Sequence, residues 1–523
     1  MLTFDSVSFG YSGSESPVLT RATFSVAPGE FALVCGPTGS GKSTLLKLVN
    51  GLAPHFTGGN LSGTIQIADS DVTGAQPHDL AELVGFVNQQ PEGSFVADIV
   101  AEEIAYSLEQ LGFDPSEMEA RVSHYAQLVG LEELLDRPLA SLSGGQQQRV
   151  AIASALAAGQ KILVLDEPTS ALDAASAGEV IRLLADLARK SGITVLLAEH
   201  RLERVLSLVD TVIVVNGDGS VVKSLPGDAF KDYRLVPPSV ELGRRLGFEK
   251  ALLSTSDANL PKNIEFEPLD LANPSGEFAL RVENLSVSYG DVTAVSNVSF
   301  DVSRGEVVSL MGPNGSGKSS LLWAIAGAGK RSSGSVATPF GEPADLNLHE
   351  RLCAISLVPQ RAADLLFLGS IAEELAESDA FANVASGETA KLFLELTNRT
   401  DPKQHPRDIS AGQQLALVLA LQLVKGAPIV LLDEPTRGLD YEAKRHLAKA
   451  IETIRESGRT VLVASHDIEF VAQVASRVVI LDAGVISQSG SAADLLGCDG
   501  PLPTQVAEAT GLPGLLLAEQ VIS

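Results

Sequence analysis

Short, unbroken apolar runs punctuate this chain, separated by stretches where apolar residues recur every three or four positions. Phe31–Cys35, Ile162–Leu165 and Thr194–Ala198 are runs of the first kind, each the length of a strand buried on both faces. Glu179–Lys190 is of the second kind: Val180, Ile181, Leu184, Leu187 and Ala188 fall on one face of a predicted helix. The later half repeats the apolar runs as Val307–Met311, Ile429–Leu432 and Thr460–Ala464. Leu2–Tyr11 is a predicted opening strand, mirrored by Leu280–Tyr289. Buried strands alternating with amphipathic helices predict α/β domains built on parallel sheets.

The repetition extends to single residues. Lys42 recurs as Lys318, Asp166 as Asp433 and His200 as His466, at offsets between 266 and 276 positions. A period this long means duplicated domains, because stacked-repeat units are far shorter. The expected division is a first domain over 1–236, an appendage and linker over 237–277, a second domain over 278–494 and a tail over 495–523. The linker rests on prolines 237, 238, 261, 268 and 274 and a net charge of −3.

Composition narrows the class. The chain has 523 residues, 45% of them hydrophobic, enough for large cores. Its 38 Lys and Arg against 65 Asp and Glu give a formal net charge of −27, which opposes attachment to nucleic acid or anionic lipid. The three scattered cysteines, Cys35, Cys353 and Cys498, are expected to be free thiols. The opening MLTFDSVSFGYSG has neither a basic nor an apolar leader segment, so no signal peptide is expected. The most apolar stretch, Leu415–Leu432, is interrupted by Gln422, Lys425 and Pro428 and is not expected to span a membrane.

Each half carries a phosphate-binding loop of the form G-x-x-x-x-G-K-S. In the first, Gly36, Gly39, Gly41, Lys42 and Ser43 are followed by Thr44. In the second, Gly312, Gly315, Gly317, Lys318 and Ser319 are followed by Ser320. Glycines let successive N–H groups turn toward phosphate oxygens, lysine reaches the β- and γ-phosphates, and serine holds Mg²⁺. Downstream, each half delivers two adjacent carboxylates from a strand tip: Asp166 with Glu167, and Asp433 with Glu434. The aspartate is placed to hold Mg²⁺ and the glutamate to orient or deprotonate the attacking water.

Between these motifs lies Leu142-Ser143-Gly144-Gly145-Gln146, matched in the second half by Ile409-Ser410-Ala411-Gly412-Gln413. With these segments the chain resembles the ATP-binding-cassette (ABC) ATPases over nearly its whole length, twice. The resemblance implies tandem P-loop NTPase domains, each with a mainly parallel sheet core, an antiparallel β subdomain and a helical subdomain. It implies ATP and Mg²⁺ as cofactors. Gln89 and Gln360 resemble the Q-loop glutamine that touches Mg²⁺ and water, with Gln90 an alternative for the first. His200 and His466 resemble the switch histidine at the γ-phosphate, each expected to precede a helix. Ser170–Asp173 and Arg437–Asp440 resemble D-loops. Tyr11 and Tyr289 resemble the aromatic that stacks on adenine, with plain strand packing as the alternative. The resemblance further implies that Ser143 and Gly145 complete the site of the second domain, and Ser410 and Gly412 that of the first. Two departures are Ala411 in place of glycine and Leu415 in place of Arg149. Ala411 is expected to restrict φ and slow the site it completes.

Three features resemble the fused ATPases of energy-coupling-factor importers of vitamins and metals. They are Ala198-Glu199-His200-Arg201-Leu202-Glu203, the segments running from Gln89 to Val96 and from Gln360 to Phe367, and the tail elements Leu235–Val240 and Leu502–Val506. In that group the second feature is a short helix docking a transmembrane coupling subunit, though Ser94 and Leu365 replace its usual glutamine. A membrane substrate-binding subunit and a place on the cytoplasmic face of the cell membrane are implied as well. A fused sugar-importer ATPase and a ribosome-acting tandem ABC protein are the alternatives. Lys318 and Glu434 argue against the first, and the acidic, proline-bearing linker against the second.

Overall fold

The computed structural model describes every residue except 14, 15, 69, 90, 231–235, 254–259, 262, 270–275, 398–400 and 523. Gln90, Leu235, Pro274 and these parts of the linker therefore lie outside the described residues. Two compact units emerge: Met1–Val240 with Phe248–Ser254, and Glu241–Gly247 with Thr255–Ser523. The stretch read as appendage and linker is shared between them, and within it Pro238–Arg245 is an α-helix.

In the first unit an antiparallel sheet is built from β1 (Leu2–Gly10), β2 (Leu19–Val26), β4 (Asn60–Ile67) and β5 (Ser70–Asp71), in the order β2-β1-β4-β5. The core sheet uses β3 (Phe31–Cys35), β6 (Val84–Val87), β7 (Ile162–Asp166), β8 (Thr194–Ala198), β9 (Thr211–Val215) and β10 (Val221–Ser224). Its order is β10-β9-β3-β8-β7-β6, parallel throughout except for β10 at the edge. All five residues of β3 and of β8 are buried, as central parallel strands require. The helix Ala174–Ser191 starts on an Asp173 cap, ends on left-handed Gly192, and buries Val180, Ile181, Leu184, Leu187 and Ala188. Three helices, Val100–Gln110, Pro115–Val129 and Gly144–Leu156, form the helical part.

The second unit repeats the plan. A three-stranded antiparallel sheet holds β11 (Phe278–Tyr289), β12 (Val292–Ser303) and β14 (Ser333–Ala337). The core sheet uses β13 (Val307–Met311), β15 (Ile355–Val358), β16 (Ile429–Asp433), β17 (Thr460–Ala464), β18 (Arg477–Asp482) and β19 (Val485–Ser491). Its order, β15-β16-β17-β13-β18-β19, is that of the first unit. Ile371–Ala382, Glu388–Leu396 and Ala411–Leu423 are its helical part.

One expectation fails here. His466 is followed by the helix Ile468–Val474, but His200 is followed only by a single 3₁₀ turn, Leu202–Arg204. The reason is local. Asp467 caps its helix by accepting the Phe470 N–H, whereas Arg201 at the same place offers no side-chain cap. Among the described residues no helix is long and apolar enough to cross a membrane.

Candidate active site

Strand register brings the chemistry together. Asp166 lies opposite Ala198 across β7 and β8, so Glu167 and His200, just past those ends, meet. In the second unit Asp433 opposes Ala464 in the same way. The phosphate loop leaves β3 beside β8, and its mirror leaves β13 beside β17.

Each loop folds around glycines that tolerate no side chain. A Cβ on Gly36 would stand 2.1 Å from the Val215 carbonyl oxygen, and one on Gly312 2.1 Å from that of Leu481. Lys42 is buried and donates from Nζ to the carbonyls of Gly36 and Pro37, both at 3.0 Å. Lys318 does the same to Gly312 and Pro313, at 2.8 and 3.0 Å. The lysines thus arch over their loops, where an anion would sit. Ser40 and Ser316, which the motif reading passed over, bury hydroxyls that have no partner among the described residues. Such orphaned groups inside a phosphate loop fit a polar ligand bound there. Gly41 and Gly317, both left-handed, open the helices Lys42–Val49 and Lys318–Ile325, aiming their positive ends at the loops. Gly39 and Gly315 also have positive φ, with open space around the missing Cβ.

The residues assigned to Mg²⁺ fit a divalent cation. Ser319 donates to Asp433 Oδ1 at 2.9 Å, and Ser43 stands beside Asp166, whose Oδ1 is buried without a partner among the described residues. Burial pushes the Asp433 carboxyl up to about 6, with Glu434 adding to the rise and Ser319 and Lys318 opposing it. Asp166 is raised too, chiefly by burial. A buried carboxylate so destabilised gains most from a cation beside it.

Both glutamates occupy left-handed backbone, Glu167 at φ 51° and Glu434 at φ 48°, a conformation costly for any residue with a Cβ. It is held by N–H bonds to Ala198 and Ala464, at 2.9 and 2.8 Å. The twist turns each carboxylate onto its histidine. His200 Nε2 lies 2.7 Å from Glu167 Oε1, and His466 Nδ1 lies 2.7 Å from Glu434 Oε2. Gln89 joins the first cluster by donating to Glu167 at 3.1 Å. Gln360 is exposed and makes no matching bond among the described residues; Glu434 instead has Lys318 Nζ at 3.6 Å. Burial would raise Glu434, but the hydrogen bond and charge of His466, with the charge of Lys318, outweigh it and hold its carboxyl below the usual range. His466 Nε2 is buried with no partner among the described residues.

Tyr11 donates to or accepts from Thr44 at 2.8 Å and meets Phe9 edge-on, so it is partly packed; Tyr289 is 47% exposed. Ser320 takes the place of Thr44 in the second loop. Ser143 and Ser410 are helix N-caps in full capping boxes, accepting the N–H of Gln146 and of Gln413 at 3.3 Å each. Each hydroxyl keeps its own proton to donate. A Cβ on Gly145 or Gly412 would lie 3.2 Å from Ser176 or Ala443 Cβ. The expectation that Ala411 restricts φ is corrected: Gly144 has no positive φ, and Ala411 is the first residue of an ordinary helix. Asp173 and Asp440, in the D-loop segments, cap the following helices.

One pair of residues escaped the motif reading. Glu103 accepts the N–H of Val96 and Ala97, each at 2.9 Å, and Glu374 accepts those of Phe367 and Leu368, at 2.5 and 2.8 Å. Both glutamates are buried. The signal was present in the repeat of Ala101-Glu102-Glu103-Ile104 as Ala372-Glu373-Glu374-Leu375.

Two such clusters on two like sheets define a tandem ABC ATPase, an enzyme that hydrolyses ATP with Mg²⁺. The sequence pattern of the ABC transporter family matches residues 19–170 and 295–437, and the chain belongs to that family. A Streptomyces coelicolor protein named as an ABC transporter ATP-binding protein, SCO2324, is 39% identical over 545 residues, spanning 97% of each chain. YkoD of Bacillus subtilis, named for HMP/thiamine import, is 32% identical over 516 residues, 95% of this chain and 92% of its own. In fold the chain is similar to the structure of ribosome-bound archaeal Pelota and ABCE1, with a TM-score of 0.63 and 23% identity over 93% of this chain and 79% of the other.

Proposed function

We propose that this chain is the ATP-driven motor of a membrane importer of the energy-coupling-factor type. In each unit Glu167 or Glu434 orients the attacking water, and His200 or His466 holds that glutamate and faces the γ-phosphate. Lys42 and Lys318 take the phosphate charge. Ser43, Asp166 and Gln89, and Ser319, Asp433 and Gln360, would hold Mg²⁺, which would supply charge neutralisation on the phosphate oxygens. Tyr11 and Tyr289 offer faces to adenine. Ser143 with Gly145 and Ser410 with Gly412 offer hydroxyl and N–H donors to a γ-phosphate.

The observation that carries the importer reading is the segment after each glutamine. It is a 3₁₀ turn, Pro91–Gly93 or Ala362–Leu365, leading to an exposed apolar side chain: Val96 at 62% and Phe367 at 78%. A buried glutamate fixes the backbone of each, so both apolar tips are presented from rigid supports. Such a pair suits a transmembrane coupling subunit. The relation to YkoD, whose name concerns HMP/thiamine import, supports a vitamin as cargo.

The test is capture from membranes in mild detergent, comparing the wild type with the Val96→Asp/Phe367→Asp double variant. A multi-span membrane protein should come with the wild type and be lost with the variant. Ribosomes on the wild-type chain, or no membrane protein, would contradict the reading.

A further inference from the structure

The two units hold their switch histidines by different means. Glu199, directly before His200, is 2% exposed, and both its carboxylate oxygens are engaged. Oε2 accepts from the Thr169 hydroxyl at 2.5 Å, while Oε1 accepts the N–H of His200 at 2.9 Å and of Arg201 at 3.3 Å. Thr169 is fully buried and stands two residues past Glu167. One buried carboxylate therefore joins the turn that carries Glu167 to the turn that carries His200. A buried carboxylate persists only with its hydrogen bonds made, so the tie is specific in geometry.

The second unit lacks it. Ser465 stands where Glu199 does, fully buried, its hydroxyl accepting the Asp467 N–H at 3.1 Å. Thr436, the counterpart of Thr169, buries a hydroxyl with no partner among the described residues. His466 is instead followed by the Asp467-capped helix, and Asp467 also meets Lys444 at 2.6 Å. His200 has no such helix behind it.

We propose that Glu199 is a positioning residue for ATP hydrolysis in the first unit. Through Thr169 it sets His200 against Glu167, replacing the capped helix that steadies His466. The inference rests on the reading of Glu167 and His200 as the groups that act on water and phosphate. Glu199 touches neither ATP nor water; it acts by keeping the pair in register, where small misplacements cost rate rather than affinity.

The experiment uses the full chain with the second site silenced by Glu434→Gln in every sample, the wild-type reference included, measuring first-site turnover against ATP concentration and the unfolding midpoint for five variants. Thr169→Val removes the hydroxyl at nearly constant shape, and Glu199→Ser installs the residue of the second unit. Both should lower kcat about threefold or more while KM for ATP moves less than about twofold. Thr169→Ser, which keeps the hydroxyl, should restore the wild-type kcat, as should Glu199→Gln, whose amide can donate to Thr169 while its oxygen accepts the two N–H groups. His200→Ala should lower kcat on its own. If His200→Ala slows turnover but folded Thr169→Val does not, the positioning role is wrong and the site reading stands. If His200→Ala has no effect, both fall. A fall in the unfolding midpoint with kcat intact, or a loss carried by KM, would make the tie merely structural and overturn the proposal.

Discussion

At the residue scale, the glutamates after the strand aspartates are the groups proposed to orient the attacking water. Their left-handed backbone and their 2.7 Å contacts with His200 and His466 are already in place. Glu167→Gln and Glu434→Gln keep shape and remove the carboxylate proposed to orient the water. Each should cut the ATP turnover of its own site by about a hundredfold or more while ATP binding persists, read by nucleotide titration. Equal losses in the two single variants would count against functional asymmetry between the sites. Gly36→Ala and Gly312→Ala should abolish nucleotide binding, because the added carbon would meet a backbone carbonyl 2.1 Å away with nothing flexible to yield. Cys35 takes no part: it is fully buried, and burial pushes its thiol up to about 12. The identity of every one of these residues was legible in the sequence. Their conformation was not, since a positive φ at a glutamate follows from strand register and an N–H bond to the neighbouring strand, not from residue type.

At the element scale, caps do much of the work of aiming the site. Ser143 and Ser410 close capping boxes on the helices they begin. Ser410→Ala should lower stability by about 1 kcal/mol, seen in denaturant unfolding, and slow ATP turnover separately. A capped turn of another kind sits at Asp379, which accepts the N–H of Gly387 and Thr389 and the Thr389 hydroxyl, at 2.6, 2.8 and 2.6 Å. Burial would raise its carboxyl, but these bonds prevail and hold it below the usual range. A folded value below the unfolded one means stability that is present above about pH 4 and lost as pH falls through the folded value. Asp379→Asn should therefore depress the unfolding midpoint at pH 7, and the gap from wild type should narrow below about pH 4. The strands and the helix Ala174–Ser191 were legible because burial on both faces, or on one helical stripe, writes itself into apolar spacing. The missing helix after His200 was not, because its absence turns on one capping position, Arg201 against Asp467.

At the scale of the whole molecule, duplication is the organising fact. Two units share one strand order and one set of motifs, yet differ around their histidines and glutamines: Gln89 reaches Glu167, whereas Lys318 stands near Glu434. Glu199 has Ser465 as its counterpart, and Glu103 recurs as Glu374, so the meaning of each lies in the duplication and not in either half alone. The importer reading belongs to this scale because it needs both apolar tips, Val96 and Phe367, working on one partner. Its most direct test compares ATP turnover of the chain alone with turnover of the captured complex in lipid. A motor coupled to membrane helices should change its turnover severalfold in the complex, and Val96→Asp/Phe367→Asp should prevent that change while leaving turnover of the chain alone intact. Turnover identical with and without the membrane partner would contradict the account.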